Sequence, residues 1–406
     1  MLEKRTLLIL ASTYLRWQGD PEPGFVHELA KRLTGTFHVI VLCPHARGAA
    51  TSEIMDGVEV IRYRYAPERM ETLVNDGGIV TNLKLHRWKA LLVPGFVLMQ
   101  TWRAWRLCRQ RRIDVIHAHW LLPQGLIAAS LQFLPGRKIP FVATSHGADL
   151  YALRGKPLVV LKRLVLKWAS AATVVSSAML DEVARIGGDA EKVSVHSMGV
   201  DLAKRFVLGD PQARTTNELL FVGRLVEKKG LRFLIDALSQ VLKVRPDVYL
   251  TIAGFGPEED ALKAQVKRLS LEHAVRFLGA VPQAELPALY QRAALFIAPF
   301  VQALSGDQEG LGLVLVEAIG CGCPVLAGRV PALAEVLDDE FDDLAFDPRD
   351  TAALVGHIIL ALSNPVTGQI RAQALRKAIA DKFDWDGVRS RYAALLTAAS
   401  EEHCNE

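Results

Sequence analysis

Short, continuously apolar runs alternate with helical patterns along the whole chain. Continuous apolar runs are typical of parallel strands that are buried on both faces, whereas strands with one wet face alternate apolar and polar residues. In the first half of the chain, strands are predicted at 6–10, 38–42, 58–61, 114–117, 139–144, 172–175 and 193–195. In the second half, they are predicted at 219–223, 248–253, 275–278, 294–298 and 323–327. The alternation predicts an α/β fold with doubly wound sheets.

The chain has 406 residues, which is too long for one ordinary hydrophobic core, so two domains are expected. Glycine, proline and small polar residues cluster at 200–216, where a linker would fit. We therefore predict a first doubly wound domain over 1–203 and a second over 204–383. A final helix is predicted within 384–406.

Composition excludes several classes of protein. The net charge of +4 does not imply nucleic-acid binding by itself, and no RNA- or DNA-reading motif is present, so no nucleic acid is expected. Five scattered cysteines predict neither a disulfide framework nor a metal site. No uncharged apolar stretch reaches the length of a membrane span, and the N-terminal apolar run is short for a signal peptide. A cytoplasmic protein is expected.

The run from Glu309 to Glu317 carries two carboxylates eight residues apart around a turn that contains two glycines. It follows a predicted strand at 295–300 and leads into a predicted short helix. Glycines let backbone N–H groups approach a ligand closely, and a helix N-terminus favours anions. The run therefore predicts a site for a phosphorylated, hydroxyl-rich molecule, a description that a nucleotide sugar fits.

Conspicuous residues also follow other predicted strands, at the edge where ligands of open α/β sheets bind. The members of this set are His117, His119, Trp120, Ser145, His146, Gly147, Asp149, Gly223, Arg224, Gly254, Phe255 and Gly256. Because both halves of the chain contribute, we expect two sheets that face each other over one cleft. In the segment 223–230, Arg224 offers a fork of donors suited to phosphate, and Lys229 can add a point charge to the same pyrophosphate.

The segments 223–230, 253–257 and 309–317 together resemble the second domain of the family 4 retaining glycosyltransferases. The likeness extends to residues 198–201 and 383–385 and covers 110–399. It implies a GT-B fold, with two Rossmann-like domains facing a central cleft and a C-terminal helix that crosses back to the first domain. It also implies transfer of a sugar from a UDP- or GDP-linked donor to a saccharide or lipid-linked saccharide, as in cell-surface polysaccharide or glycolipid synthesis.

The resemblance also assigns roles to residues. Arg224 and Lys229 would hold the donor diphosphate and stabilise the charge that grows on it. Glu309 and His146 would contact the donor sugar, and Glu317 would bind the ribose hydroxyls. The remaining donor-binding positions are Gly223, Gly254, Gly310, Leu311 and Gly312. No cofactor beyond the donor substrate and no metal is expected, because the family generally works without a divalent ion.

Four further residues are weaker candidates. His119 sits at a strand end beside that of His146 and is a candidate for the acceptor side. Asp149 orients a catalytic group or the acceptor, or it caps the helix that follows it. Gly19 and Asp20 lie in the first strand–helix loop, which lacks the Gly-Gly pair usual in the family.

Residues 77–113 contain eight Lys or Arg and no Asp or Glu, with Trp88, Phe96, Trp102 and Trp105 interleaved. Two interpretations stay open at this point. Residues 84–112 are a candidate peripheral contact with the anionic inner face of a membrane, which would suit a lipid-linked acceptor. Alternatively, the helix buries an aromatic face and exposes a basic one.

Other functions compete with sugar transfer. Nucleotide-sugar 2-epimerases share the GT-B fold and form the main alternative. A nicotinamide-dependent oxidoreductase is less suitable, because the Gly254-x-Gly256 segment lacks the third glycine of the dinucleotide fingerprint. A non-catalytic partner subunit would keep the fold without turnover.

Overall fold

The protein is described here by a computed structural model that covers residues 4–20, 24–75, 78–133 and 138–402. The predicted segments that begin at residues 1 and 77, and the one that ends at 406, therefore extend outside the described residues. By its internal contacts the chain divides into two compact units. The first unit contains Met1–Met198 and Val388–Glu406, and the second contains Gly199–Gly387.

In the part of the first unit that the structure describes, eight strands form one sheet. They are β1 (Thr6–Leu10), β2 (His38–Pro44), β3 (Ser52–Met55), β4 (Val58–Tyr63), β5 (Val115–His119), β6 (Phe141–Ser145), β7 (Ala171–Val174) and β8 (Val193–Val195). Their order across the sheet is β3-β4-β2-β1-β5-β6-β7-β8. Among the described strands of this sheet, only the β3–β4 pair is antiparallel. Because strand order reverses beside β1, ligands are expected at the carboxyl ends of these central strands.

Helices connect the strands of the first unit. They are α1 (Phe25–Leu33), α2 (Gly78–Leu85), α3 (Leu92–Gln110), α4 (Leu126–Leu131), α5 (Ala148–Tyr151), α6 (Lys156–Trp168) and α7 (Ala178–Arg185). In α1, Val26, Leu29, Ala30 and Leu33 are buried while the charged residues between them face outward. This spacing of three and four residues is what produces one apolar face on a helix.

The second unit is built on a parallel sheet of six strands. They are β9 (Glu218–Val222), β10 (Tyr249–Ala253), β11 (Val275–Gly279), β12 (Leu295–Ala298), β13 (Val325–Gly328) and β14 (Ala345–Phe346). Their order is β11-β10-β9-β12-β13-β14. All five residues of β9 are buried, as expected of a strand covered on both faces.

The helices of the second unit are α8 (Leu231–Val244), α9 (Glu259–Arg268), α10 (Leu286–Arg292), α11 (Leu313–Gly320), α12 (Ala334–Leu337), α13 (Phe341–Leu344), α14 (Thr351–Ser363) and α15 (Pro365–Phe383). The last helix, α16 (Trp385–Glu402), begins in the second unit and belongs to the first from Val388 onward. The backbone N–H of Val200 donates to the Phe383 carbonyl at 2.8 Å, so both ends of the second unit lie side by side.

The predicted α/β fold with two Rossmann-like parallel sheets is confirmed. One detail of the strand predictions is wrong. His117 was expected at the end of a strand and His119 after it, but β5 continues through both residues to His119. Their backbones stay in register with β6, where His117 pairs with Val142 and His119 pairs with Thr144.

Among the residues that the structure describes, no single helix is both long enough and apolar enough to cross a membrane. The pair α14 and α15 passes that test only when taken together, and the two helices are bent by 96° where they meet.

Candidate active site

The carboxyl ends of β9 and β10 approach each other so closely that a side chain is excluded. Gly254 has a φ of +147°, and a Cβ atom built on it would lie 1.9 Å from the Gly223 carbonyl oxygen. Gly223 in turn donates its N–H to the Ala253 carbonyl at 3.0 Å. The two predicted donor-binding glycines are therefore brought together, and Gly254 cannot be replaced without moving backbone.

Lys229 and Glu309 form a partly buried ion pair in the second unit. The Nζ atom of Lys229 lies 2.6 Å from Oε2 of Glu309, and the two side chains are only 12% and 17% exposed. The same Nζ lies 3.9 Å from the centre of the Phe300 ring, a cation–π contact that sequence analysis did not anticipate. This ion pair thus joins the segment after β9 to the turn before α11.

The charges around this pair explain its protonation. Burial would raise the pKa of Glu309, but the charges of Lys229 and Lys228 and the Gly312 N–H bring it down to about 2. Burial lowers the pKa of Lys229, the carboxylate of Glu309 opposes that change, and the charges of Lys228 and Arg224 lower it further. Glu309 is therefore a carboxylate at neutral pH, within a cluster of three cations.

The turn between Glu309 and α11 brings backbone amides to the same place. Gly312 precedes the first residue of α11 with a φ of +85°, and a Cβ atom there would lie 2.6 Å from the Leu333 side chain. Its N–H donates to the Glu309 carboxylate. Gly310 and Leu311 are both buried within the turn. The N-terminus of α11 therefore lies beside Glu309, and such a terminus favours anions.

Glu317 lies on α11 and is only 6% exposed. The hydroxyl of Tyr290, on α10, donates a hydrogen bond of 2.9 Å to Oε2 of Glu317. Burial raises the pKa of Glu317 to about 7, although hydrogen bonds from Tyr290 and Gln283 act in the opposite direction. Glu317 therefore titrates near neutral pH, while Glu309 stays ionised.

The first unit brings His119 and His146 together at the carboxyl ends of β5 and β6. The Nδ1 atom of His119 lies 2.9 Å from Nε2 of His146, and the two ring planes are within 4° of parallel. His119 is fully buried, whereas His146 is half-buried. The rings of Phe25 and Trp120 lie 4.9 Å and 5.1 Å from that of His146. His146 thus occupies a largely aromatic setting.

Asp149 links the carboxyl ends of β5 and β6, beside these histidines. Its carboxylate accepts hydrogen bonds from the Leu121 N–H at 2.6 Å and from the Ser145 hydroxyl at 2.8 Å. The N-cap of α5 is Gly147, so the prediction that Asp149 caps this helix is wrong. Burial raises the pKa of Asp149. The residue holds two adjacent strand ends in a fixed relation.

An ion pair between two side chains of the first strand–helix loop holds that loop together. Asp20 is buried and accepts hydrogen bonds from the Arg16 backbone N–H at 2.8 Å and from the Arg16 guanidinium at 2.6 and 2.9 Å. Gly19 has a φ of +81° within this turn. The carboxylate of Asp20 is thus occupied by a local ion pair.

Over the described part of the chain, no group of three or more His, Cys, Asp or Glu side chains is arranged to hold a metal ion.

A basic and aromatic face covers one side of α3, with Leu98, Trp102 and Trp105 exposed by 66%, 45% and 39%. The guanidinium groups of Arg106 and Arg109 lie 5.7 Å and 5.9 Å from the ring centres of Trp102 and Trp105, respectively. The opposite face buries Phe96, Gln100, Ala104 and Leu107. The alternative interpretation, in which the helix buries an aromatic face and exposes a basic one, fits Phe96 but not Trp102 or Trp105, which share the exposed face with the arginines.

Comparison with known proteins places these features in a family. The model described as glycosyltransferase family 4 matches residues 25–204, and the model described as glycosyl transferases group 1 matches residues 209–381. The chain is 30% identical over 393 residues to a glycogen synthase of Mycobacterium tuberculosis, which covers 92% of this chain and 90% of that protein. It is 32% identical over 284 residues to a phosphatidyl-myo-inositol mannosyltransferase of the same organism. That match covers 68% of this chain and 72% of that protein.

The structure of Anabaena Alr3699/HepE in complex with UDP and glucose superposes with a TM-score of 0.72 at 19% identity, covering 97% of this chain and 100% of that one. At this identity the likeness concerns the fold, which is that of GT-B glycosyltransferases. The chain belongs to the family 4 glycosyltransferases.

Proposed function

We propose that the protein is a retaining glycosyltransferase that moves a sugar from a UDP- or GDP-linked donor to a saccharide or lipid-linked saccharide. The observation that carries this proposal is the ion pair of Lys229 and Glu309, which lies beside Arg224 and the N-terminus of α11. Cations and backbone amides suit a diphosphate, and an ionised carboxylate suits sugar hydroxyls. The second unit would bind the donor and the first unit the acceptor.

Arg224 and Lys229 would stabilise the negative charge that grows on the diphosphate as the glycosyl bond breaks. Fixed cations suffice for such electrostatic catalysis, so no divalent metal is needed in this scheme. Gly223, Gly254 and the amides at 310–312 would line the same ligand. Glu317 would accept hydrogen bonds from the ribose diol.

Glu309 would orient the donor sugar rather than attack it. Its carboxylate is engaged by Lys229 at 2.6 Å and its pKa is about 2, so it is a weak base and a weak nucleophile. This supports a front-face reaction, in which the departing phosphate helps to deprotonate the acceptor and the configuration of the sugar is retained. His146 would contact the donor sugar from the first unit.

The acceptor is proposed to belong to cell-surface polysaccharide or glycolipid synthesis. One relative is named as a phosphatidyl-myo-inositol mannosyltransferase, whose name specifies a lipid acceptor. The exposed tryptophans and arginines of α3 support a peripheral contact of residues 84–112 with the anionic cytoplasmic face of a membrane. The epimerase alternative shares the fold, but the family match favours transfer.

A binding screen tests the donor class first. Thermal shift and calorimetry are measured with UDP, GDP and ADP and with their common sugars, once in EDTA and once with Mg²⁺. A ligand that binds only the native state raises its stability, so one nucleoside diphosphate should stabilise the protein in EDTA. Arg224→Ala should lose this response, while Arg245→Ala, which removes a partly exposed arginine paired with Asp247, should keep it.

Turnover then separates the candidate functions. Incubation with the matching nucleotide sugar and saccharide acceptors should yield a glycoside whose anomeric configuration, read by NMR, equals that of the donor. Conversion of the nucleotide sugar to its epimer without any acceptor would favour the isomerase. A folded protein that binds none of the nucleotides would contradict the proposal.

A further inference from the structure

Two histidines with nearly parallel rings share one hydrogen bond in the first unit, and its direction is not obvious from either ring alone. Nδ1 of His119 and Nε2 of His146 lie 2.9 Å apart. A hydrogen bond requires that one of these nitrogens carries the proton and that the other presents a lone pair. The two possible directions give His146 opposite chemical properties at its other nitrogen, Nδ1.

The surroundings of His119 decide between the two directions. Its second nitrogen, Nε2, is buried and has no hydrogen-bond partner among the described residues. If His146 donated, His119 would carry its own proton on Nε2, as a buried N–H with no acceptor. If His119 donates, Nε2 is only a lone pair without a donor. Buried N–H groups without an acceptor are rarer in folded proteins than acceptors without a donor.

Neither ring is expected to carry a second proton. Burial, together with the nearby His117 and His146, lowers the pKa of His119 well below its ordinary value. Burial, together with His117, lowers the pKa of His146 to about 3. Both rings are thus neutral at physiological pH, so each ring carries one proton on one of its two nitrogens.

Neighbouring side chains on the sheet fix the plane of the His119 ring. The ring centre of His117 lies 4.2 Å from that of His119, and Nε2 of His117 is hydrogen-bonded to the Thr144 hydroxyl at 2.8 Å. Thr144 in turn bonds to the hydroxyl of Thr173 at 2.7 Å. Because this row of side chains spans β5, β6 and β7, His119 is held by the sheet itself.

We propose that His119 is a positioning residue that donates from Nδ1 to Nε2 of His146 and so fixes His146 in the tautomer protonated on Nδ1. His146 then offers an N–H donor, and not a lone pair, to whatever it faces. This inference rests on the proposed function, in which His146 contacts the donor sugar. There His146 donates a hydrogen bond to an oxygen of the substrate and does not act as a general base. His119 itself touches no substrate.

The tautomer can be observed directly. Protein labelled with ¹⁵N-histidine is examined by long-range ¹H–¹⁵N correlation, and the His146 signals are assigned by their loss in His146→Gln. The expected pattern is a protonated Nδ1 and an unprotonated Nε2. A wild-type spectrum with His146 protonated on Nε2 would overturn the proposal, whether or not the enzyme turns over any donor. Failure of the proposed function would instead appear as the absence of nucleotide binding.

Substitutions test the role in the reaction. His119→Leu removes the donor, whereas His119→Asn keeps an N–H close to the position of Nδ1. We expect His119→Leu to lower kcat by about tenfold or more with little change in the donor KM, as for a lost oriented hydrogen-bond donor. His119→Asn should keep most of the wild-type kcat. The matched control is His196→Leu, whose lost ring packs against Tyr392 at 5.3 Å.

The spectra of the variants complete the test. In His119→Leu, the His146 signal should become a mixture of tautomers, and in His119→Asn it should return to the wild-type pattern. An unchanged His146 tautomer together with an unchanged kcat in folded His119→Leu would show that His119 does not position His146. An equal loss of kcat in His196→Leu would show that the loss in His119→Leu comes from general destabilisation. This outcome would also overturn the proposal.

Discussion

Lys229 and Glu309 are eighty residues apart in the chain, yet their side chains meet at 2.6 Å in a largely enclosed part of the second unit. Each satisfies the charge of the other before any ligand arrives. A diphosphate that approaches Lys229 must therefore share this ammonium with Glu309. Because buried charges are costly without a partner, a change at either residue also affects the one that remains.

Lys229→Ala should weaken the binding of the preferred nucleoside diphosphate by at least about tenfold, since hydrogen bonds to charged groups contribute about 1.5–3 kcal/mol. The variant also leaves Glu309 without its counter-ion. The affinity is measured by titration calorimetry on protein shown to be folded by circular dichroism. Lys263→Ala, which breaks the surface pair with Glu259, is the control of equal charge. Equal affinities of the two variants would contradict the role of Lys229.

Glu309→Gln should separate binding from turnover. Without the competing carboxylate, Lys229 is available to the diphosphate, so the affinity for the free nucleoside diphosphate should stay the same or rise. The kcat of sugar transfer should fall by about a hundredfold or more, as for a lost transition-state contact. The measurement pairs calorimetry with initial rates. A parallel loss of both quantities would mean that Glu309 supports the diphosphate site rather than the sugar.

Glu317 should make stability depend on pH near neutrality. Its pKa is about 7 in the folded protein, against an ordinary value of 4.5. Between these values the folded state binds more protons than the unfolded state, so the free energy of unfolding should fall as pH rises through this window. Each unit of pKa difference corresponds to about 1.4 kcal/mol.

Urea unfolding of the wild type and of Glu317→Gln at pH 5, 6 and 7 measures this contribution. Glutamine does not titrate, so the difference in the free energy of unfolding between the two proteins should change steadily across the series. A difference that is the same at all three pH values would show that Glu317 is already ionised throughout. Tyr290→Phe should raise the pKa further, because it removes the 2.9 Å hydrogen bond to Oε2 of Glu317.

The α3 face predicts binding to anionic bilayers. The protein should float with vesicles of phosphatidylcholine and phosphatidylglycerol, and binding should fall with added salt because charges contribute to it. Trp102→Ala with Trp105→Ala should remove most of the binding. Trp17→Ala is a matched control, because Trp17 is also 42% exposed and also stacks with an arginine, Arg16, at 4.6 Å. Equal binding to neutral vesicles, or equal loss in the control, would contradict a specific contact.

The sequence was sufficient for the strands that lie inside the sheets, because their apolar runs are unbroken. It did not predict β3 or β14. Two of the four residues of β3 are exposed, at an antiparallel edge, and β14 has only two residues, so neither shows a long apolar run. Edge pairing depends on the neighbouring strand more than on the residues themselves.

Site residues were easier to find than their partners. The motifs pointed to Lys229, Glu309 and Glu317, but nothing in the sequence indicated Tyr290 as the donor to Glu317, since the two lie on different helices. The same limit applies to α3, where both helical faces carry large apolar residues. Only packing shows that Gln100 faces inward, where it reaches the Ala11 carbonyl at 3.3 Å, and that Trp102 does not.

The return of residues 388–402 to the first unit affects the order in which the protein can mature. During translation, β1 to β8 leave the ribosome long before Tyr392, whose hydroxyl donates to the His196 carbonyl at 2.9 Å and whose ring packs on His117. The first unit therefore stays incomplete while the whole of residues 199–387 is being synthesised. A gene fragment that stops at codon 387 encodes the second unit in full, but leaves the first without the helix that closes it.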